Sequence, residues 1–150
     1  MDELSLTQSE ADTLLSMKKY HMSNRTYLYP DQGQKLTIPL FSEDKRAAFQ
    51  LDINTTSVVA SNCTYQNRAR TFIILVRLDI GGPRHRNPDG MEIATPHIHL
   101  FREGFHDKWA FPVSSNAFRD VTNNWIAFED FMKYCNVIVQ PTIKKRKSTI

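Results

Sequence analysis

His97 and His99 stand one residue apart in TPHIHLFREGFHDKWAFP, residues 95–112, and His106 follows in the same stretch. Alternate residues of a β-strand project the same way, about 6–7 Å apart along the backbone. Two imidazoles at that spacing can converge on one ion, with bonds of about 2.0–2.1 Å to each nitrogen. A zinc site then needs a third donor and usually a fourth. His85 is the first candidate for the third, and Asp79 can ligate the ion or orient a histidine from behind. His106 falls at a hairpin tip and reaches the site only if the loop curls back. Cys63 is a remoter donor.

The same residue types serve other chemistries. Two histidines in a basic site can take and return a proton while a cation stabilises a phosphorane-like transition state. His97, His99, Arg77 and Lys108 would supply a metal-independent ribonuclease of that kind, a toxin for example. A third reading involves no chemistry. Arg68, Arg70, Arg77, Arg84, Arg86, Arg102 and Lys108 lie in the central third of the chain, and such a surface attracts phosphate or carboxylate groups. In the plainest reading the two histidines are polar residues on the wet face of an antiparallel sheet.

Strands must place these side chains. RTFIILVRLDI, residues 70–80, reads as a central strand. Residues 94–102 and 107–113 read as a hairpin with Arg102 opposite Asp107, so that Leu100 faces Trp109 and Ile98 faces Phe111. That register puts the four apolar residues on one face, the core face. Setting Ile80 opposite Ala94 pairs Val76 with Ile98 and Arg77 with His97. The other face then collects Arg77, Asp79, His97, His99, Phe101, Lys108 and Ala110. The long loop 81–92 adds Arg84, His85 and Arg86. The expected metal donors are His97, His99, His85 and Asp79, and the expected binding residues are Arg77, Arg84, Arg86, Arg102 and Lys108.

Around this hairpin the chain reads as an α+β domain. Thr7-Gln8-Ser9-Glu10 has the form of a capping box and opens a helix over about 7–20. Residues 35–41 and 46–54 alternate apolar and polar as strands do, while 57–67 is ambiguous. Phe118, Val121, Trp125, Phe128 and Cys135 recur at helical spacing within 117–134. The expected fold is a mostly antiparallel sheet of about five strands, with an N-terminal and a C-terminal helix packed on it. Trp109 and Trp125 are expected in its core. The domain would span 1–143, with 144–150 as a basic tail.

The bulk numbers narrow the classes. One hundred and fifty residues suit one domain, and 41% hydrophobic with 23% charged residues is the balance of a folded chain. A net charge of +3 is milder than that of a dedicated nucleic-acid binder. MDELSLTQSE carries no signal-peptide pattern, and no apolar run approaches the roughly 18 residues of a membrane span. A cytoplasmic protein with Cys63 and Cys135 as free thiols is expected. There is no phosphate loop, nucleophile elbow or Cys-x-x-Cys pair, which weighs against an enzyme.

TPHIHLFREGFHDKWAFPV resembles the central motif of small proteins from phages and prophages of Gram-positive bacteria: a His-x-His strand, an arginine-glutamate-glycine turn and an aspartate-lysine-tryptophan strand. The resemblance covers roughly residues 70–135. In size, and in its histidine metal site, the chain is also similar to a zinc-containing anti-CRISPR inhibitor of the type II effector nuclease. The resemblance implies a non-enzymatic inhibitor that binds a host defence nuclease, with a structural metal fixing the 81–92 loop to the sheet. Nucleic acid is the alternative partner, and no membrane is involved.

Overall fold

The computed structural model describes residues 5–145. Thr7 caps the first helix, α1 (Gln8–Ser16). Its hydroxyl accepts from Glu10 N, and the Glu10 carboxylate accepts from Thr7 N, the reciprocal pair of a capping box. The helix is shorter than its expected span because Lys19–Tyr20 leaves it as strand β1. Lys19 is fully buried, and its ammonium donates to the carbonyls of Leu15, Met17 and Cys135. One cation thereby satisfies C-terminal carbonyls of both helices, where the helix dipoles favour positive charge.

Strands β2 (Thr26–Leu28), β3 (Lys35–Phe41), β4 (Ala48–Asn54), β5 (Cys63–Ala69) and β6 (Ile73–Ile80) follow. Then come the short β7 (His85–Arg86) and β8 (Glu92–Ile93), and the hairpin strands β9 (His97–Leu100) and β10 (Ala110–Pro112). Helix α2 (Asn124–Tyr134), β11 (Val137–Val139) and β12 (Thr142–Lys144) complete the order. The main sheet has eight strands in the order β10-β9-β6-β5-β4-β3-β1-β11, larger than the five expected from sequence. Only its β1–β11 pair is parallel. Two of the extra strands, β1 and β11, are two- and three-residue pieces, too short for an alternation pattern to reveal, and the third, β5, overlaps the stretch 57–67 that reads as ambiguous. β12 pairs with β2, so Lys144 closes a strand. Residues 146–150, most of the expected basic tail, lie outside the described residues.

Both helices contribute to one core. Ala11 of α1 and Ala127, Phe128, Phe131 and Met132 of α2 join Ile38, Leu40, Leu51, Ile53, Tyr65 and Leu78 of the sheet. Each large apolar side chain so buried contributes about 1.5–3 kcal/mol of transfer free energy. Phe118 belongs to this core, yet α2 starts only at Asn124. Asn123 caps it by accepting from Ile126 N, and the Asp120 carboxylate holds a turn at Thr122 N just before. Cys63 and Cys135 are both buried and unpaired. Burial pushes the Cys135 thiol up to about 12. No helix among the described residues is long and apolar enough to cross a membrane.

The face of the sheet away from the helices is polar and ordered in rows. Thr37, Asp52, Gln66, Arg77, His99 and Ala110 lie side by side across six strands. The hairpin register is the expected one, with Ile98 opposite Phe111 and the Trp109 carbonyl accepting from Leu100 N. At the tip, however, Arg102 pairs with His106, not Asp107. The β6–β9 register differs from expectation by two residues: Leu78 faces Ile98, and Asp79 faces His97. A two-residue shift preserves which face each side chain takes, so the apolar pattern could not detect it. A bulge where β5 meets β6 leaves Leu75 and Val76 both buried, and Phe101, bonded to the Leu75 carbonyl, joins the core instead of the histidine face.

Ile98 and Leu100 take the expected core face, but burial elsewhere at the hairpin departs from expectation. His97, His99 and Ala110 on the polar face are at most 1% exposed, while Phe111 on the nominal core face is 38% exposed. The reason is the loop after β6, which folds back over the polar face. The Asn87 amide donates to the Ala110 carbonyl at 2.9 Å and its oxygen accepts from Ala110 N at 2.8 Å, as a neighbouring strand would. On the other side neither helix extends fully over β10. Trp109 and Trp125, expected in the core, are only half-buried.

Candidate metal centre

Asp79 comes from β6, and His97 and His99 come from β9. Asp79 sits directly across from His97, and Arg77 directly across from His99. The pleat turns all four side chains to the polar face, beneath the returning loop. Asp79 Oδ2 lies 3.0 Å from His97 Nε2 and 3.2 Å from His99 Nε2. These three donors form a tight group that could hold a metal ion.

The opposite ring nitrogens are already committed. His97 Nδ1 donates to the Ile93 carbonyl at 3.2 Å, and His99 Nδ1 donates to the Asp107 carbonyl at 2.8 Å. A carbonyl only accepts, so both Nδ1 atoms carry their protons, and both Nε2 atoms, which offer lone pairs when the rings are neutral, turn toward Asp79. Metal-binding histidines are typically held this way, with the far nitrogen donating to a backbone carbonyl or carboxylate. The distances fit as well. With bonds of about 2.0–2.1 Å, neighbouring donors of a tetrahedral centre are about 3.3 Å apart; both Asp79–histidine separations are close to this, and all three donors lie within 4.8 Å of one another.

Arg77 braces the group. Its Nε donates to Asp79 Oδ1 at 3.0 Å, its Nη2 to Asp79 Oδ2 at 3.2 Å and to His99 Nε2 at 2.9 Å, and its Nη1 to Asp107 at 3.0 Å. Burial acts to raise the Asp79 carboxyl, but the His99 contact and the charge and hydrogen bonds of Arg77 outweigh it. They hold the carboxyl well below the ordinary carboxylate range. Asp79 is therefore a carboxylate, the form that ligates.

Residues 6–137 match a family described as one of unknown function (DUF6978). The chain belongs to this family. No curated protein and no solved structure matches it. The DUF6978 match spans α1 to the start of β11 and so includes all three donors and the loop that covers them.

His85, expected as a third ligand, is a neighbour of the group and not a member. Its ring centroid is 4.6 Å from that of His99, and its Nε2 donates to the Lys108 carbonyl at 2.6 Å. Asp79 holds the third position instead. His106 packs edge-on against Phe101, and Cys63 faces the core. Of the expected binding residues, Arg77 and Arg84 line one cleft beside the donors. Arg86 pairs with Glu92 across β7 and β8. Arg102 stacks on Trp109, and the exposed Lys108 enters through its carbonyl alone. Sequence reasoning missed Asp107, Ile93 and Asn87. The backbone carbonyls of the first two leave no trace in residue type, whereas Asn87 stands in the turn sequence Asn-Pro-Asp-Gly, where only a turn was legible.

Proposed function

We propose that this chain binds one divalent transition metal, zinc in the first instance, through His97 Nε2, His99 Nε2 and Asp79 Oδ2. The supporting observation is the commitment of both Nδ1 atoms to backbone carbonyls, which leaves both Nε2 atoms, the lone-pair positions of the neutral rings, aimed at one carboxylate oxygen. Imidazole and carboxylate donors suit zinc among the available divalent ions. An ion on these donors replaces the Arg77 hydrogen bond to His99, and Arg77 keeps Asp79 Oδ1 and Asp107. Such a metal joins β6 to β9. It does not bind the loop directly, because His85 and Asn87 already fasten that segment to the hairpin.

The ribonuclease reading draws less support. Both imidazoles are 1% exposed, and both Nε2 atoms point at one oxygen, so they do not flank a substrate from two sides. We propose a structural metal in a protein that binds and inhibits a bacterial defence nuclease. That partner rests on the resemblance of roughly residues 70–135 to small phage proteins and on the similarity in size and histidine site to a zinc-containing anti-CRISPR inhibitor. Metal analysis of untagged protein tests the first half, with one ion per chain expected. A cleavage assay with the type II effector tests the second, and full cleavage at excess of this protein removes that partner.

A further inference from the structure

The centre is closed on one side and open on the other. His99 and its partner Asp107 seal one flank, while a cleft reaches Asp79 and His97 from the other. Arg77, Arg84, His85 and Asn62 stand on its walls, and Asp79 is the only acid among the described lining residues. Arg84 is exposed and makes no hydrogen bond or ion pair among the described residues. The wall opposite is tightly built. Gly81 has φ +78°, and a Cβ there would stand 1.9 Å from Asn62 Oδ1, so only glycine lets the loop pass so close to Asn62.

The charges favour an anion. Arg77 contributes one positive charge, and Asp79 and Asp107 contribute one negative charge each, leaving a single negative charge. A divalent ion turns that to a single positive charge, and Arg84 adds another at the cleft. Three protein donors also leave one tetrahedral position for an outside ligand.

We infer that the fourth position of this centre takes a phosphate-type oxyanion from the cleft, with Arg84 as its second contact. The inference rests on the metal reading above. One phosphate oxygen meets the ion and the others meet the planar fork of the guanidinium, whose geometry matches phosphate. Free phosphate and a phosphate ester share this chemistry.

The test uses the full chain loaded with cobalt(II), whose visible bands report its donors. Inorganic phosphate, a nucleoside monophosphate and acetate are titrated separately. The expected result is a band shift with phosphate, the monophosphate or both, and little change with acetate. A shift with one of the two alone identifies the source, and a shift with both shows that the site reads the phosphate group itself. Arg84→Gln, at an exposed position, should weaken that shift by about tenfold or more while cobalt affinity holds. Cobalt bands that ignore both phosphates overturn the inference and leave the metal reading standing. An equal response in Arg84→Gln overturns the role of Arg84. Failure to bind cobalt removes the metal reading and this inference together.

Discussion

Asp79 Oδ2 lies 3.0 Å from His97 Nε2 across the β6–β9 ladder, and each group is held in that pose by a different part of the chain. Arg77 holds the carboxylate, and the Ile93 carbonyl holds the imidazole. Asp79→Asn keeps the shape and removes the charge. It should lower metal affinity by more than the roughly 10–100-fold lost with outer-sphere partners. Competition with a chelating dye measures this, and an unchanged affinity would remove Asp79 from the donor set.

Asn87 acts as a side-chain substitute for a strand neighbour. Asn87→Ala leaves the Ala110 N–H and carbonyl without partners in a buried place. The expected cost is about 2–3 kcal/mol in urea unfolding, since each stranded buried group costs about 1–3 kcal/mol. Amide exchange at Ala110 should also speed up. Slow exchange at Ala110 in the variant would show that another group holds the loop down.

Ile98, Phe111 and the alternation around them made the hairpin register legible in sequence, and the capping box made the start of α1 legible. The register between β6 and β9 was not, because a shift of two residues leaves every face unchanged. The third donor turned on that shift. With Arg77 opposite His97 the carboxylate sits off to one side, whereas the observed register sets Asp79 opposite His97 itself. The burial of the histidines was also hidden. It depends on a loop whose hold on the sheet comes from one asparagine and one histidine, and no periodicity encodes that.

Lys19 provides a separate test of the fold. Lys19→Met keeps the length and removes three hydrogen bonds to carbonyls at the ends of α1 and α2. Loss of about 2–4 kcal/mol is expected, since each carbonyl left without a partner in a buried place costs about 1–3 kcal/mol. A loss below about 1 kcal/mol would mean the helix ends relax to water.

Acid should weaken the protein through Asp52. Burial acts to raise its carboxyl, but hydrogen bonds from Arg68, Thr37 and Gln66 outweigh this and hold it below its ordinary value. A carboxyl whose folded pKa is depressed binds fewer protons when folded. Its contribution is therefore complete above the unfolded value of about 3.9 and fades as pH falls through the folded one. Urea unfolding at pH 5 and pH 3 should show a smaller pH difference in Asp52→Asn than in the parent chain. An equal difference would assign the acid sensitivity to other carboxylates.

The central claim is the metal on Asp79, His97 and His99. The direct measurement is metal content of the untagged chain by mass spectrometry, paired with thermal unfolding with and without added zinc. Content should approach one ion per chain. Zinc at a hundredfold excess over its dissociation constant should add about 2.7 kcal/mol of stability, an effect absent in His97→Ala. Content below about 0.2 per chain with no shift on adding zinc would contradict a metal centre, given that binding to such a site is coupled to folding.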